Sequence, residues 1–396
     1  MIIRNVMIYT ADQRFAAGSV RTDGGRISEV ILDRADCTDG AGKLQVIDQQ
    51  EEVIDGQGCY CIPGMIDLHF HGCKGHDICD GTMEALEAIA AFEASIGVTA
   101  ICPATMTLPQ KELEAVLQTA AAFRKSQQEN GSASGADLVG VNMEGPFISH
   151  VKKGAQDERH IIPCDAEIFR SFQRAADGLV KFIGIAPEEG DAKSFIQAVK
   201  GEAAVSLAHT NADYDTAKRA FDLGAGHAVH LYNAMPAFSH REPGVIGAVF
   251  DSPHVNAELI CDGIHVHPAV VRTTFAVMGH NRMILISDSM RAAGMSDGQY
   301  TLGGLDVTVQ GKRAALTHGG ALAGSVTTLP DCVRTAVQQM GIPLEQAIAA
   351  ATVNPAKSLG IAEDYGTIEP GKKADLVLWD RKLQLKKVIK DGITLL

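Results

Sequence analysis

Residues 66–79 read IDLHFHGCKGHDIC. Three histidines (His69, His71, His76), two cysteines (Cys73, Cys79) and two aspartates (Asp67, Asp77) share fourteen residues, a composition suited to holding metal. The stretch is either a local zinc knuckle or one strand of something larger, and the choice decides the fold. A knuckle needs thiolates spaced by two to about four residues. Cys59 and Cys61 are separated by one residue and Cys73 and Cys79 by five, with Pro63-Gly64 between the two pairs. Read instead as a strand, GMIDLHFH (64–71) alternates at period two, so His69 and His71 point to one face while Leu68 and Phe70 point to the other. That is a chelating pair. Cys73, His76 and Cys79 then read as loop and packing residues.

Working outward, further short apolar runs follow at 98–104, 138–144, 180–187, 204–209, 227–233, 256–262 and 283–288. Helix-like segments lie between them, such as 82–97, 110–128 and 212–224, several opening on Ser, Thr, Asn or Asp in capping positions. Strands alternating with helices give a parallel sheet, and eight of them predict an α/β fold of the (β/α)8 TIM-barrel type. Residues 1–62 differ, with short β segments and a polar Gly/Asp-rich loop around Cys37 to Lys43, and the tail from Gly366 has the same β character. The expected organisation is a small β-sandwich built from both termini (1–62 and 357–396) beside a catalytic barrel (63–356). The stretch 126–137 reads as a polar loop before the third strand.

The 396 residues can hold a large domain and a smaller companion, so no metal is needed to replace a hydrophobic core. A formal net charge of -13 argues against nucleic acid and anionic membranes as partners, and an anionic substrate would need basic residues placed locally. The start MIIRNVMIYTADQRF lacks a signal-peptide layout, and no long unpunctuated apolar run could span a bilayer, so a cytoplasmic location is expected. Nine cysteines without a regular framework are expected to be reduced and mostly buried.

Barrel chemistry sits at the C-terminal ends of the strands. There the first run carries His69 and His71, the third Glu144, the fifth His209, the sixth His230, the seventh Asp262 and the eighth Asp288. Five ligand-type side chains and Asp288 at one end predict a catalytic metal site, and neutral imidazole with carboxylate suits zinc or iron.

PGMIDLHFHG, the tail GTIEPGKKADLVLWD and the N-terminal β segment resemble the amidohydrolase superfamily. NMEGPFIS, KKGAQ, AHTNADY, HLYNAMPAFSHREPG, CDGIHV, ISDSM and ALAGS narrow the resemblance to the N-acetylglucosamine-6-phosphate deacetylases and extend it over nearly the whole chain. The resemblance implies metal-dependent hydrolysis of the acetamide of N-acetyl-D-glucosamine 6-phosphate, giving the amino sugar phosphate and acetate. The galacto epimer is the alternative substrate. The resemblance implies Glu144, His209 and His230 as holders of the principal divalent ion and one or two ions per chain, since some members bind a single metal and the second would be held by His69 and His71 and bridged by Glu144. Zinc is the expected ion, with iron, manganese or cobalt as alternatives. Asp288 matches the catalytic aspartate. The sugar is expected against Ala155, Gln156, Asn233, Ala234, Arg241, Asp262, His265, Leu322, Ala323 and Gly324. Gln156 departs from the family pattern, where some members have histidine.

Arg241 is the expected phosphate ligand, because a guanidinium meets phosphate through paired hydrogen bonds. Its loop is long enough to reach a neighbouring subunit in a homodimer. Two rival functions stand beside this one. A cyclic-amide amidohydrolase would bridge its metals with a lysine at the end of strand four, whereas Lys181 stands at that strand's beginning. A sugar sensor without catalysis would have no need of Asp288.

Overall fold

The computed structural model describes residues 1–33, 51–130 and 135–396. The expected loop at Cys37 to Lys43 and residues 131–134 of the loop expected at 126–137 lie outside the described residues; the helix Gln110–Asn130 takes up the first part of that loop.

A seven-stranded parallel sheet runs through Ala104–Thr105, Val141–Phe147, Val180–Ile185, Ala204–Leu207, His227–Ala228, Asn256–Ile260 and Met283–Ile286. A second, three-stranded parallel sheet joins Met65–Asp67, Val98–Ile101 and Asp137–Leu138. The second and third predicted strands are thus each broken in two and serve both sheets. The breaks have local causes. Pro103 offers no N–H to a ladder, and Gly140 lies so close to its neighbour that a Cβ would sit 2.3 Å from Lys181 Cγ. The last and first strands meet beyond their ends, where Asp288 N donates to His69 O (3.0 Å) and His71 N to Ser289 O (2.7 Å). Most of these strands are buried along their whole length, as expected of a parallel sheet covered on both faces.

The helices follow their caps. Thr82 accepts from Ala85 N at the head of Met83–Ser95, and Asp213 from Thr216 N at the head of Tyr214–Leu223. A three-stranded antiparallel unit, Gly298–Leu302, Leu305–Gln310 and Arg313–Leu316, follows the last parallel strand and was not anticipated from the sequence.

Among the described residues the terminal β segments form one eight-stranded sheet where a sandwich was expected. Its centre is Ile2–Tyr9, which pairs with Val53–Asp55 at one end and Tyr60–Pro63 at the other, while Leu376–Trp379 pairs with Tyr60–Pro63. One face packs Ile3, Ile8, Leu376 and Leu378 into a small core of its own, and the other turns Tyr9, Ile62, Val377 and Trp379 into the main core. With both faces covered, no second terminal sheet is required. The fully buried Lys390 fastens this sheet to the base of the third strand, its Nζ 3.0 Å from Asp137 Oδ2. The eight described cysteines are all free.

Candidate metal centre and pocket

Glu144 stands at the centre of the site, midway along Val141–Phe147 and 3% exposed. Its Oε1 lies 3.0 Å from His209 Nε2, 2.8 Å from His230 Nε2 and 3.4 Å from His69 Nε2. Its Oε2 lies 3.4 Å from His71 Nε2. Two groups of donor atoms able to hold an ion result, His69–His71–Glu144 and Glu144–His209–His230, and Glu144 belongs to both. His69 and His71 converge on Glu144, but both lie past the strand Met65–Asp67, and Leu68 and Phe70 are turned into separate parts of the core and do not share one opposite face.

His209, His230 and Asp288 each sit two positions past their strands, where the backbone turns with φ of 43°, 26° and 47°, whereas Glu144 lies within Val141–Phe147. This left-handed region disfavours residues with a Cβ, and such strain gathers where surrounding structure holds a side chain for function. The imidazoles are aimed from behind. His71 Nδ1 meets Ala104 O at 3.0 Å, His209 Nδ1 meets Lys152 O at 2.8 Å, and His69 Nδ1 meets Glu258 Oε2 at 2.7 Å, so each turns Nε2 toward Glu144. His69 Nε2 is buried without a hydrogen-bond partner. An orphaned lone pair facing a carboxylate and two further imidazoles fits a divalent cation.

Burial alone would raise the Glu144 carboxyl, but the imidazoles of His209 and His69 and the hydrogen bonds from His209 and His230 outweigh it and hold the group well below the usual carboxylate range. Asp288 shows the same balance. Burial opposes its charge, the hydrogen bond from His71 and the nearby His69 favour it, and its pKa ends lowered. Asp288 Oδ1 is 3.3 Å from His71 Nε2, at the wall of the same cavity.

That cavity, about 290 Å³, is lined by His71, Glu144, His209, His230, Asp288 and His265, with Ala155, Gln156, Asn233, Ala234, Leu322 and Gly324 among the rest. Ser325 N donates to Asp288 O at 2.6 Å, which draws the ALAGS segment against the aspartate. Asp262 stands behind His265, 2.7 Å from its Nδ1; burial would lower the His265 pKa, and this bond with the Asp262 charge raises it instead. Ala323 is fully buried beside the cavity.

One expected sugar contact, Gln156, lines the cavity but also holds its neighbours, and another, Arg241, lies outside that cavity. Gln156 is engaged internally, donating from Nε2 to Glu144 Oε2 (2.7 Å) and accepting Thr107 N at Oε1 (2.7 Å). Arg241 is exposed and lines a separate groove with Asn211, Asp213, Tyr214 and Glu242. Lys181 lines a third groove with Arg124 and Lys373, not the cavity. Sequence reasoning missed Glu258, whose signal was an acidic residue inside an apolar strand run, in step with Asp262 at period two. It also missed Met106 and Leu302 in the cavity wall.

The Amidohydrolase family matches residues 60–395. An N-acetylglucosamine-6-phosphate deacetylase of Bacillus subtilis (strain 168) is 36% identical over 379 residues, 96% of this chain and 92% of that protein. An N-acetylgalactosamine-6-phosphate deacetylase of Escherichia coli O157:H7 is 35% identical over 335 residues, 82% of this chain and 85% of its own. Among solved structures, a mutant N-acetyl-D-glucosamine-6-phosphate deacetylase of Mycobacterium smegmatis in complex with N-acetyl-D-glucosamine-6-phosphate superposes with a TM-score of 0.88 at 28% identity, covering 100% of this chain and 99% of that one.

Proposed function

The chain belongs to the Amidohydrolase family, and from that premise we propose that it hydrolyses N-acetyl-D-glucosamine 6-phosphate to D-glucosamine 6-phosphate and acetate in amino-sugar catabolism. The observation that carries this reading is the convergence of two donor groups sharing Glu144, together with Asp288, on one cavity. The relatives supply the substrate. Because one of them is named for the galacto epimer, N-acetylgalactosamine 6-phosphate is the second reading. Acetate release from both 6-phosphates, with and without a chelator, separates the two and tests the metal requirement. No release from either would refute the assignment.

We read the two parallel sheets as one (β/α)8 barrel closed along the His69–Asp288 seam. Residues 63–356 are the catalytic unit, and residues 1–62 with 357–396 the terminal one. A divalent metal, zinc first among the candidates, would be held by Glu144, His209 and His230, with a second at His69, His71 and Glu144; when bound it acidifies water and polarises the amide carbonyl. Asp288, ionised beside the cavity, accepts the proton of the attacking water. It then returns that proton to the leaving amine, so one carboxylate serves as base and as acid. His265, its positive charge favoured by Asp262, faces the cavity as a ligand for hydroxyl or phosphate oxygen. Ala155, Asn233, Ala234 and the Leu322 to Gly324 segment shape the sugar pocket. Gln156 lines the same pocket and also holds Glu144 through its Nε2.

Arg241 remains the proposed phosphate clamp, reaching the cavity of a second copy in a cytoplasmic homodimer. The support is its exposure on a loop outside its own cavity. Arg241→Ala should weaken use of the phosphorylated sugar by roughly 10- to 150-fold, the worth of a charged hydrogen bond of about 1.5–3 kcal/mol, and leave the non-phosphorylated N-acetyl sugar almost unaffected. Equal losses on the two substrates would rule out the clamp. Mixed dimers of Arg241→Ala and Asp288→Asn chains should recover activity if the loop crosses between subunits. No recovery would confine Arg241 to its own chain.

A further inference from the structure

Glu258 lies on the strand Asn256–Ile260 and is fully enclosed. Its Oε2 is 2.7 Å from His69 Nδ1 and 3.0 Å from the backbone N of His230. Its Oε1 is 2.8 Å from His227 Nε2. Among the described residues its ion-pair partners are the histidines His69 and His227, and no lysine or arginine. A buried carboxylate without a matching cation is costly, and a divalent ion at the neighbouring histidines would supply the opposing charge.

The other aimed imidazoles lean on backbone carbonyls, Ala104 O for His71 and Lys152 O for His209. Of these three ligand imidazoles, His69 is the one whose Nδ1 meets a charged side chain. An ionised carboxylate accepts and does not donate, so the shared proton belongs to His69 Nδ1, and in the neutral ring the lone pair is on Nε2. That Nε2 is the buried atom left without a hydrogen-bond partner, facing Glu144. The same Oε2 also fixes the backbone of His230, which belongs to the other donor group.

We propose that Glu258 is a positioning residue that makes His69 a metal ligand and, through one oxygen, sets the two donor groups relative to each other. The proposal rests on the metal centre described above. A carboxylate behind a ligating imidazole fixes its tautomer and raises its basicity, and removing such a partner typically weakens metal binding by about 10- to 100-fold.

The test is a double-mutant cycle read by chelator competition for zinc on the metal-stripped full-length protein. Glu258→Gln keeps the shape but loses the charge and one acceptor oxygen, and should weaken zinc binding by about 10- to 100-fold. Glu258→Asp should recover part of the loss. In a His69→Ala background the Glu258→Gln change should add little, because the ring it orients is gone. Full additivity, or unchanged affinity in Glu258→Gln alone, would overturn the proposal. A readout that needs no Glu258 variant is the long-range 1H–15N spectrum of histidine-labelled, metal-free protein, with His69 assigned by its loss in His69→Ala. At a pH where the ring is neutral the proton is expected on Nδ1, and a neutral ring with its one proton on Nε2 would overturn the assignment even if every Glu258 variant failed to fold. A wild-type chain that bound no zinc while His69 kept its proton on Nδ1 would refute the metal centre and with it the ligand role, but leave the orienting contact intact.

Discussion

Asp288→Asn is expected to leave fold and metal content intact and to lower kcat by at least about 100-fold, the lower range for a positioned acid or base. The substitution is conservative in every respect but one. Asparagine keeps the size of the side chain and tolerates the left-handed backbone found here, φ 47°. The backbone contacts of residue 288, N to His69 O and O to Ser325 N, do not involve the side chain. Asp288 is also outside both donor groups. What the amide lacks is a lone pair basic enough to take a proton and a proton to return. In the wild type, burial works against the Asp288 charge and the contacts with His71 and His69 more than offset it, so the carboxylate is ready to accept. The measurement is single-substrate kinetics on the variant beside a metal count and a melting curve. Near-normal turnover with metal bound would remove Asp288 from the mechanism.

Glu144→Gln should remove most of the bound metal, with affinity falling by more than about 100-fold, beyond the loss typical of an indirect partner. The effect is large because one side chain serves two groups: Oε1 faces His209 and His230, and Oε2 faces His71 and accepts from Gln156. An amide supplies no charge and only one acceptor oxygen. Whichever way it turns, its NH2 confronts either the Gln156 amide or the imidazole nitrogens that should point lone pairs at the ion. Metal analysis after exhaustive dialysis checks this, and full metal content in the variant would displace Glu144 from the centre. Replacing His69 and His71 together by alanine separates the groups. Loss of one ion of two is the expected result, and unchanged content would mean a single ion at Glu144, His209 and His230.

Local pattern made much of this legible without tertiary information. The spacing in GMIDLHFH points to His69 and His71 as a chelating pair, although the strand itself ends at Asp67 and the two rings converge from the segment beyond it, and the alternation of apolar runs with capped helices announces the parallel strands. Motif resemblance then identified the family and the residues gathered at the strand ends. The breaks in the second and third strands were less visible, since they arise from Pro103 and from the close approach of Gly140 to Lys181. The sandwich was misjudged for a related reason. Alternation along a strand shows that a face is buried but not what buries it, and here the second face of the terminal sheet lies on the main core.

What the sequence by itself determined was the chemistry available and the order in which strands deliver it, because side-chain alternation and capping are properties of neighbours along the chain. Tertiary structure alone decided the pairings. Glu258 reads as a stray acid in an apolar run until His69, 189 positions away, and His227, 31 positions away, close on its two oxygens. Gln156 reads as a sugar contact, and only the fold shows that Thr107 and Glu144 also take both ends of its amide, just as only the fold shows Arg241 lining a groove apart from its own chain's cavity. A hydrogen bond between distant segments depends on packing geometry fixed to a fraction of an ångström, and spacing along one chain does not encode it.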